Sequence, residues 1–411
     1  MTRNINTLSA LNLENYSQLE IITSWFRLAF NNKMAAALWR LPGTTENQLV
    51  IDTGAQLSKG KVDLEESTGG FLFAPFENQG MSQDFFLKAD IHYTSNQNQV
   101  KFSDDSYALT PDKIMKQLRI ELESEHIDSF IHLNNNNGWT TSESQYLQMV
   151  ENALNSIRNG TLQKVVPAAS RKVKLQHGFN ILETFERLCD SYPEAFISLV
   201  TAPGLGTWMG ASPEPIIELD NLKTFNTVAL AGTQARYPYV SLQDVAWKQK
   251  EIEEQALVCR YIINCFKKIR LREFEENGPK TVVAGNLLHL KTTYSVDMDA
   301  TNFPLLGSVM LDLLHPTSAV CGMPKGPALE FIKEQENFDR AYFSGYLGPV
   351  NLSEETHLFV NLRCMQIGRE EATLYAGAGV TEDSIPQSEW EEIQLKCDTL
   401  IDVLDLYNQK S

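Results

Sequence analysis

No stretch of this 411-residue chain is long or apolar enough to span a bilayer. The first 40 residues mix apolar positions with Asn, Glu and Arg and lack the basic, apolar, small-residue order of a signal peptide. A cytoplasmic protein is therefore expected. Cysteine is scarce: Cys189, Cys259, Cys265, Cys321, Cys364 and Cys397 stand apart, without a CxxC pair or metal-ligand spacing, which suits reduced thiols. Positive charge is also short. Lys and Arg total 35 against 52 Asp and Glu, for a formal charge of -17, and no basic run interrupts the excess. Nucleic acid and anionic membrane surfaces are not expected as partners. Repeats and low-complexity tracts are absent.

What is present is a globular composition, 43% hydrophobic and ample for a sizeable core. The loosest segments, 95–105 and 134–144, are polar, and the second is the best candidate for a boundary. Before it, an amphipathic helix is expected over 19–40, with strand-like runs at 49–52, 70–75 and 84–93. After it, Tyr146, Leu147, Val150, Leu154 and Ile157 recur at helical spacing and Gly160 follows as a C-terminal cap. Strand-like runs at 162–173, 195–201, 208–219 and 228–232 lead to a long helix over 242–272. Strands up to residue 294 then precede helices at 305–314 and 327–336. Strands at 341–350, 357–368 and 373–376 precede a last helix over 386–407. Late strands that follow one another without intervening helices indicate mainly antiparallel pairing, and the chain reads as α+β.

A repeated Glu-x-x-Glu is the sharpest local feature. Glu251 and Glu254 share one helix face, as do Glu389 and Glu392. Two such faces opposed would form an oxygen-rich site for a hard cation, with Mg2+ favoured because it needs only one or two protein carboxylates besides water and substrate oxygens. A solvated face is the plain alternative. Lys396, four residues after Glu392, could pair with it or reach an anion beside the metal. Lys164, in LQKVVPAASRK, could snorkel to solvent or be held in a desolvated site and act as a general base. Glu214 sits in a Ser-Pro-Glu-Pro turn, where a catalytic group could be displayed or a residue merely exposed. Arg363, inside the apolar FVNLRCMQI, needs a carboxylate partner from a ligand or from the protein. The Gly-Ala-Gly of Gly377 and Gly379 allows close backbone approach.

Taken together, LQKVVPAASRK, MGASPEPIIEL, ALAGTQAR, KEIEEQALV, LHPTSAVCGMPKGPALEFI, ENFDRAYFSGYLGPV and LYAGAGVTEDSIPQSEWEEIQLK resemble the chorismate-utilising enzymes in order and spacing. That family includes isochorismate, salicylate, anthranilate and aminodeoxychorismate synthases. The resemblance covers residues 146–404, taken as the chorismate-binding catalytic region. It implies one domain over 1–411, an α+β fold of two packed, mainly antiparallel sheets surrounded by helices, with residues 1–140 a variable part of the same fold. It further implies Lys164 as the base that activates water and Glu214 as the acid that protonates the departing hydroxyl. Glu254 and Glu392 match Mg2+ ligands, with Glu251 and Glu389 as outer or water-mediated partners. Arg363, Gly377, Gly379 and Lys396 match positions around the enolpyruvyl carboxylate, and Gly232, Thr233, His315 and Phe343 match the pocket lining.

Within the family, the resemblance points to water as nucleophile. Anthranilate synthases carry glutamine where Lys164 stands, and aminodeoxychorismate synthases carry a nucleophilic lysine where Ala231 stands. Salicylate and anthranilate synthases usually have threonine at the position of Ala319. An isomerase that forms isochorismate, without an amidotransferase subunit and as a monomer, is thus the expectation; salicylate synthesis in the same pocket is the alternative, and a silent chorismate-binding relative is a further class. The product would serve menaquinone or siderophore pathways. Departures from the family pattern are Gln255 in place of histidine, Pro167 after Lys164, and the charged Thr381, Glu382 and Asp383 loop. Pro167 predicts a bulge or an edge in its strand.

Overall fold

The computed structural model describes residues 13–54, 58–77, 84–103, 110–124, 132–133, 139–221, 223–236, 241–284 and 287–405. In chain order these form α1 (Gln18–Asn31), β1 (Ala35–Arg40), β2 (Asn47–Asp52), β3 (Ser58–Lys59), β4 (Gly70–Ala74), β5 (Phe85–Lys88), β6 (Ile91–Thr94), β7 (Gln99–Phe102) and α2 (Pro111–Leu122). Next come α3 (Glu143–Arg158), β8 (Lys164–Val165), β9 (Ala168–Lys174), α4 (Ile181–Ser191), β10 (Phe196–Ala202), β11 (Gly206–Ser212), β12 (Pro215–Leu219), β13 (Thr224–Ala235) and α5 (Gln249–Lys268). The chain continues through β14 (Glu275–Ala284), β15 (Leu287–Asp297), α6 (Leu306–Leu314), β16 (Gly322–Met323) and α7 (Lys325–Gln335). It ends with β17 (Tyr346–Val350), β18 (Thr356–Val360), β19 (Cys364–Ile367), β20 (Glu371–Gly377) and α8 (Pro386–Asp405).

Two nine-stranded sheets carry the fold, in the orders β7-β6-β2-β1-β10-β11-β19-β20-β9 and β14-β15-β13-β12-β18-β17-β4-β5-β3, and a small third sheet joins β16 to β8. Pairing among the described strands is antiparallel, as expected for an α+β chain. Strands from the first hundred residues enter both large sheets, β1 beside β10 and β4 beside β17. The two-residue alternation of a strand assigns the cores. Along β1, Ala35, Ala37 and Trp39 face an inter-sheet core, while Ala36 and Leu38 join a second core beneath the helices. Aromatic rings fill the space between the sheets: Phe196 stacks on Phe359 at 4.2 Å between centroids, and Trp39 lies 5.2 Å from Phe71. Helices α1, α3, α4 and α8 cover the first sheet or one another, and α5 and α6 cover the second. Among the described residues, no helix is long and apolar enough to cross a membrane.

Several elements differ from expectation. The helix expected over 19–40 stops at Asn31, Lys33 turns left-handed (φ 57°), and Ala35–Arg40 becomes β1. Alanines that favour a helix are overruled there because β2 and β10 supply hydrogen-bonding edges on both sides. The long helix begins at Gln249 rather than 242, and the 84–93 run is two strands. Pro167 does more than bulge its strand: it divides the 162–173 run into β8 and β9, which belong to different sheets. The 357–368 run likewise divides at Arg363, so this arginine lies between strands rather than inside one, in a left-handed conformation (φ 45°). Helix α8 is described to Asp405; residue 407, where its end was expected, and residues 134–138 of the expected boundary lie outside the described residues.

Those divisions place the site. Two of the passages between the large sheets meet here, from β11 to β12 through Pro213-Glu214 and from β18 to β19 through Asn361-Leu362-Arg363. The crossovers run side by side, tied by Val360 N donating to Glu214 O at 2.9 Å, Ala211 N to Arg363 O at 3.1 Å and Ser212 Oγ to Val360 O at 2.5 Å. Ladder pairing ends on either side of them, at Gly210–Cys364 and at Pro215–Phe359, and polar side chains of the crossovers enter an otherwise apolar interior.

Candidate active site

A cavity opens at these crossovers. Lys164 enters from β8, Glu214 and Arg363 from the crossovers, Glu254 from α5, and Glu392 and Lys396 from α8. Gly232, Thr233, Ala319, Phe343, Gly377 and Gly379 also line it. Gly232 sits at a bulge in β13, left-handed at φ 69°, where a Cβ would lie 3.0 Å from Glu251 Cβ.

Lys164 is 1% exposed and its Nζ donates to Glu254 Oε1 at 2.8 Å. Burial alone would raise Glu254, but Lys164, Lys250 and Lys396 outweigh it and hold the carboxyl below its ordinary value. A Cβ on Gly379 would run into Glu254 Oε1 and lie 3.1 Å from Lys164 Cε. The glycine thus admits the ion pair itself. Of its two alternatives Lys396 shows the first, with Nζ 2.8 Å from Glu392 Oε1, and it also donates to Gly377 O at 2.7 Å.

Glu214 behaves differently from its neighbours. Burial pushes its carboxyl up to about 7, against the downward pull of Lys164, Lys396 and Arg363. The cavity therefore sets a carboxyl that keeps its proton near neutrality among lysines and an arginine, the arrangement required of a general acid.

His289 and Arg363 form a second pair. Arg363 Nη2 donates to His289 Nε2 at 3.1 Å, so the opposite ring nitrogen bears the proton, and Nδ1 donates to Gly232 O at 2.9 Å. Burial, then Arg363 and Lys396, hold the imidazole near 3 and hence neutral. Histidine here fixes both the arginine and the bulge of β13.

Three expected residues fall outside the cavity lining. His315 is corrected: its Nε2 contacts Pro75 O at 3.1 Å, and its ring meets Tyr346 edge-on at 4.7 Å. Glu251 caps its own helix, accepting from Lys248 N at 3.0 Å. Glu389 is fully buried, and its Oε1 lies 2.5 Å from Lys250 Nζ. Burial disfavours that ammonium, but the carboxylate outweighs it and raises the pKa of Lys250. Gln255, beside Glu254, points to the sheet and donates to Ala229 O at 3.1 Å and Thr292 Oγ1 at 3.0 Å. It anchors the turn of α5 that aims Glu254.

Sequence reasoning missed His289, Arg340, Ser344 and Tyr375 in the lining. A signal existed for His289, a polar residue on the buried phase of LLHLK; Arg340 and Tyr375 carried none apart from their motifs.

Among the described residues no group of three or more metal-ligating side chains is assembled. Glu254 and Glu392 nevertheless face one cavity from two helices. Two carboxylates suit a hard cation that completes its shell with water and substrate oxygens, so these residues fit Mg2+ and not a thiolate- or imidazole-binding metal.

The family model described as chorismate binding enzyme matches residues 74–405. The vibriobactin-specific isochorismate synthase of Vibrio cholerae is 28% identical over 268 residues, covering 63% of this chain and 66% of that protein. Isochorismate synthase EntC of Escherichia coli is 27% identical over 270 residues, covering 64% and 68%. The alignments thus span about two thirds of these relatives. The solved structure of MenF, the menaquinone-specific isochorismate synthase of Escherichia coli, superposes with a TM-score of 0.73 over 95% of this chain and 91% of that one, at 21% identity.

Proposed function

This chain belongs to the chorismate binding enzymes, and from that premise we propose that it isomerises chorismate to isochorismate. Water adds at C2, the ring double bonds shift, and the C4 hydroxyl leaves as water once protonated. The observation that carries the reading is the pairing of a buried lysine with a glutamic acid raised to about 7 in one cavity. Glu214 gives its proton to the departing C4 oxygen. Lys164, whose ammonium must first release a proton to solvent as its contact with Glu254 is exchanged for the attacking water, takes the proton of that water as the free amine.

Arg363, oriented by His289, is placed to hold a carboxylate, and Lys396 adds a second positive charge beside Gly377. Chorismate is a dianion, and these groups supply the positive potential that a chain of net charge -17 lacks overall. Glu254 and Glu392 would hold Mg2+, which when bound would neutralise and orient the ring carboxylate. Ala319 borders the cavity, in keeping with a reaction that stops at isochorismate. With water as nucleophile, the protein acts without an amidotransferase subunit, as a cytoplasmic monomer that supplies a menaquinone or siderophore pathway.

Liquid chromatography of chorismate incubated with the protein and Mg2+ tests the reading, with chelator and Lys164→Ala as controls. Isochorismate that disappears in both controls is expected. Salicylate with pyruvate would establish the alternative synthesis, and unchanged chorismate would overturn the proposal.

A further inference from the structure

We infer that the buried ion pair Arg340–Glu336 is a positioning device for Lys164, replacing the strand neighbour that Pro167 interrupts. The inference rests on the proposed isomerisation, in which Lys164 is the base.

Residues 165–168 join β8 to β9. One edge of this segment is held by backbone: Val165 and Val380 exchange hydrogen bonds at 3.2 and 2.8 Å, and Ala378 N donates to Pro167 O at 3.3 Å. On the other edge, Val166 N finds Cys321 O at 2.9 Å, but no strand continues past it. The groups on either side of the proline are met by side chains instead. Arg340 Nη2 donates to Val166 O at 2.7 Å, and Glu336 Oε1 accepts from Ala168 N at 2.8 Å. One ion pair thus donates once and accepts once, as a neighbouring strand would.

The same guanidinium extends the brace. Arg340 Nη1 donates to Val320 O at 2.9 Å, next to Ala319, and its Nε donates to Glu336 Oε2 at 2.8 Å. The side chains of both partners are 3% exposed, and the guanidinium lies over Phe76 at 4.4 Å and Phe343 at 5.7 Å. Three parts of the cavity wall, the Lys164 strand, the Ala319-Val320 loop and Phe343, therefore meet at one planar fork. Lysine cannot reproduce this, because a single ammonium does not span two carbonyls and a carboxylate in fixed directions.

Arg340→Lys tests the assignment. A shift of the base by about an ångström costs up to about 100-fold, so kcat is expected to fall by roughly 10- to 100-fold with KM for chorismate unchanged. Hydrogen–deuterium exchange should rise in the 163–168 segment and not in the distant strands β1 and β2. An unchanged kcat, or a loss confined to KM, overturns the inference; so does unchanged exchange in 163–168. Should Arg340→Lys not fold, Glu336→Gln carries the test with the same readouts, since its amide still accepts from Ala168 N but no longer pairs with Arg340. Failure of the isomerisation reading would show separately, as wild-type protein that leaves chorismate untouched, while the exchange measurement still reads the brace.

Discussion

Replacing Glu214 by glutamine should stabilise the protein increasingly as pH rises. Burial pushes this carboxyl from 4.5 up to about 7, a preference for the protonated form worth about 3 kcal/mol. The unfolded chain releases the proton near the ordinary value while the folded chain retains it. Folding is therefore penalised once pH exceeds the unfolded pKa, and the penalty grows until pH passes the folded one. Between about pH 5.5 and about pH 8 the wild type should forfeit roughly 2 kcal/mol that a non-titrating glutamine keeps. Urea denaturation of both proteins at the two pH values measures this, because any constant cost of the buried amide cancels in the comparison. Glu214→Gln should also be inactive at both pH values. A stability difference that stays flat, or shrinks as pH rises, would refute a desolvated carboxyl at this position and with it the source of the acid.

The same carboxyl governs activity: kcat/KM should fall as pH rises through about 7, because the acid form is lost there, and a profile flat to pH 9 would contradict the assignment. Gly379→Ala should abolish turnover while leaving the circular dichroism spectrum intact, since its Cβ runs into Glu254 Oε1 beside Lys164. His289→Leu removes the acceptor of Arg363 Nη2 and the donor to Gly232 O, and should raise KM for chorismate by about tenfold or more. Gln255→Ala leaves Thr292 and the Ala229 carbonyl without this donor and should cost about 1–3 kcal/mol in urea denaturation.

Periodicity was legible in the chain as α3 with its cap at Gly160, most strands and the antiparallel α+β class, and the resemblance of its motifs brought out Lys164, Glu214, Glu254, Arg363, Glu392 and Lys396, which meet in the cavity. What escaped has a common cause. Ala35–Arg40 is helical by propensity and extended in fact because two strands pair with it from distant parts of the chain. Pro167 and Arg363 stand within apolar runs that read as single strands, yet each divides a run between sheets. Nothing local distinguishes a residue that bends a strand from one that sends it to another sheet.

Charge pairing followed the same division. Residue types and spacing by themselves determined that two glutamate pairs sit on helix faces, that Lys396 shares a face with Glu392, and that an arginine in an apolar run must find a partner. Only the tertiary structure decided the partners: His289 for Arg363, Lys164 for Glu254, and Lys250 rather than the cavity for Glu389. The physical reason is reach. Helical spacing acts over four residues and is written in the chain, whereas desolvation and Coulomb pairing depend on which residues, such as 164 and 254, are brought within 3 Å by the packing of whole sheets.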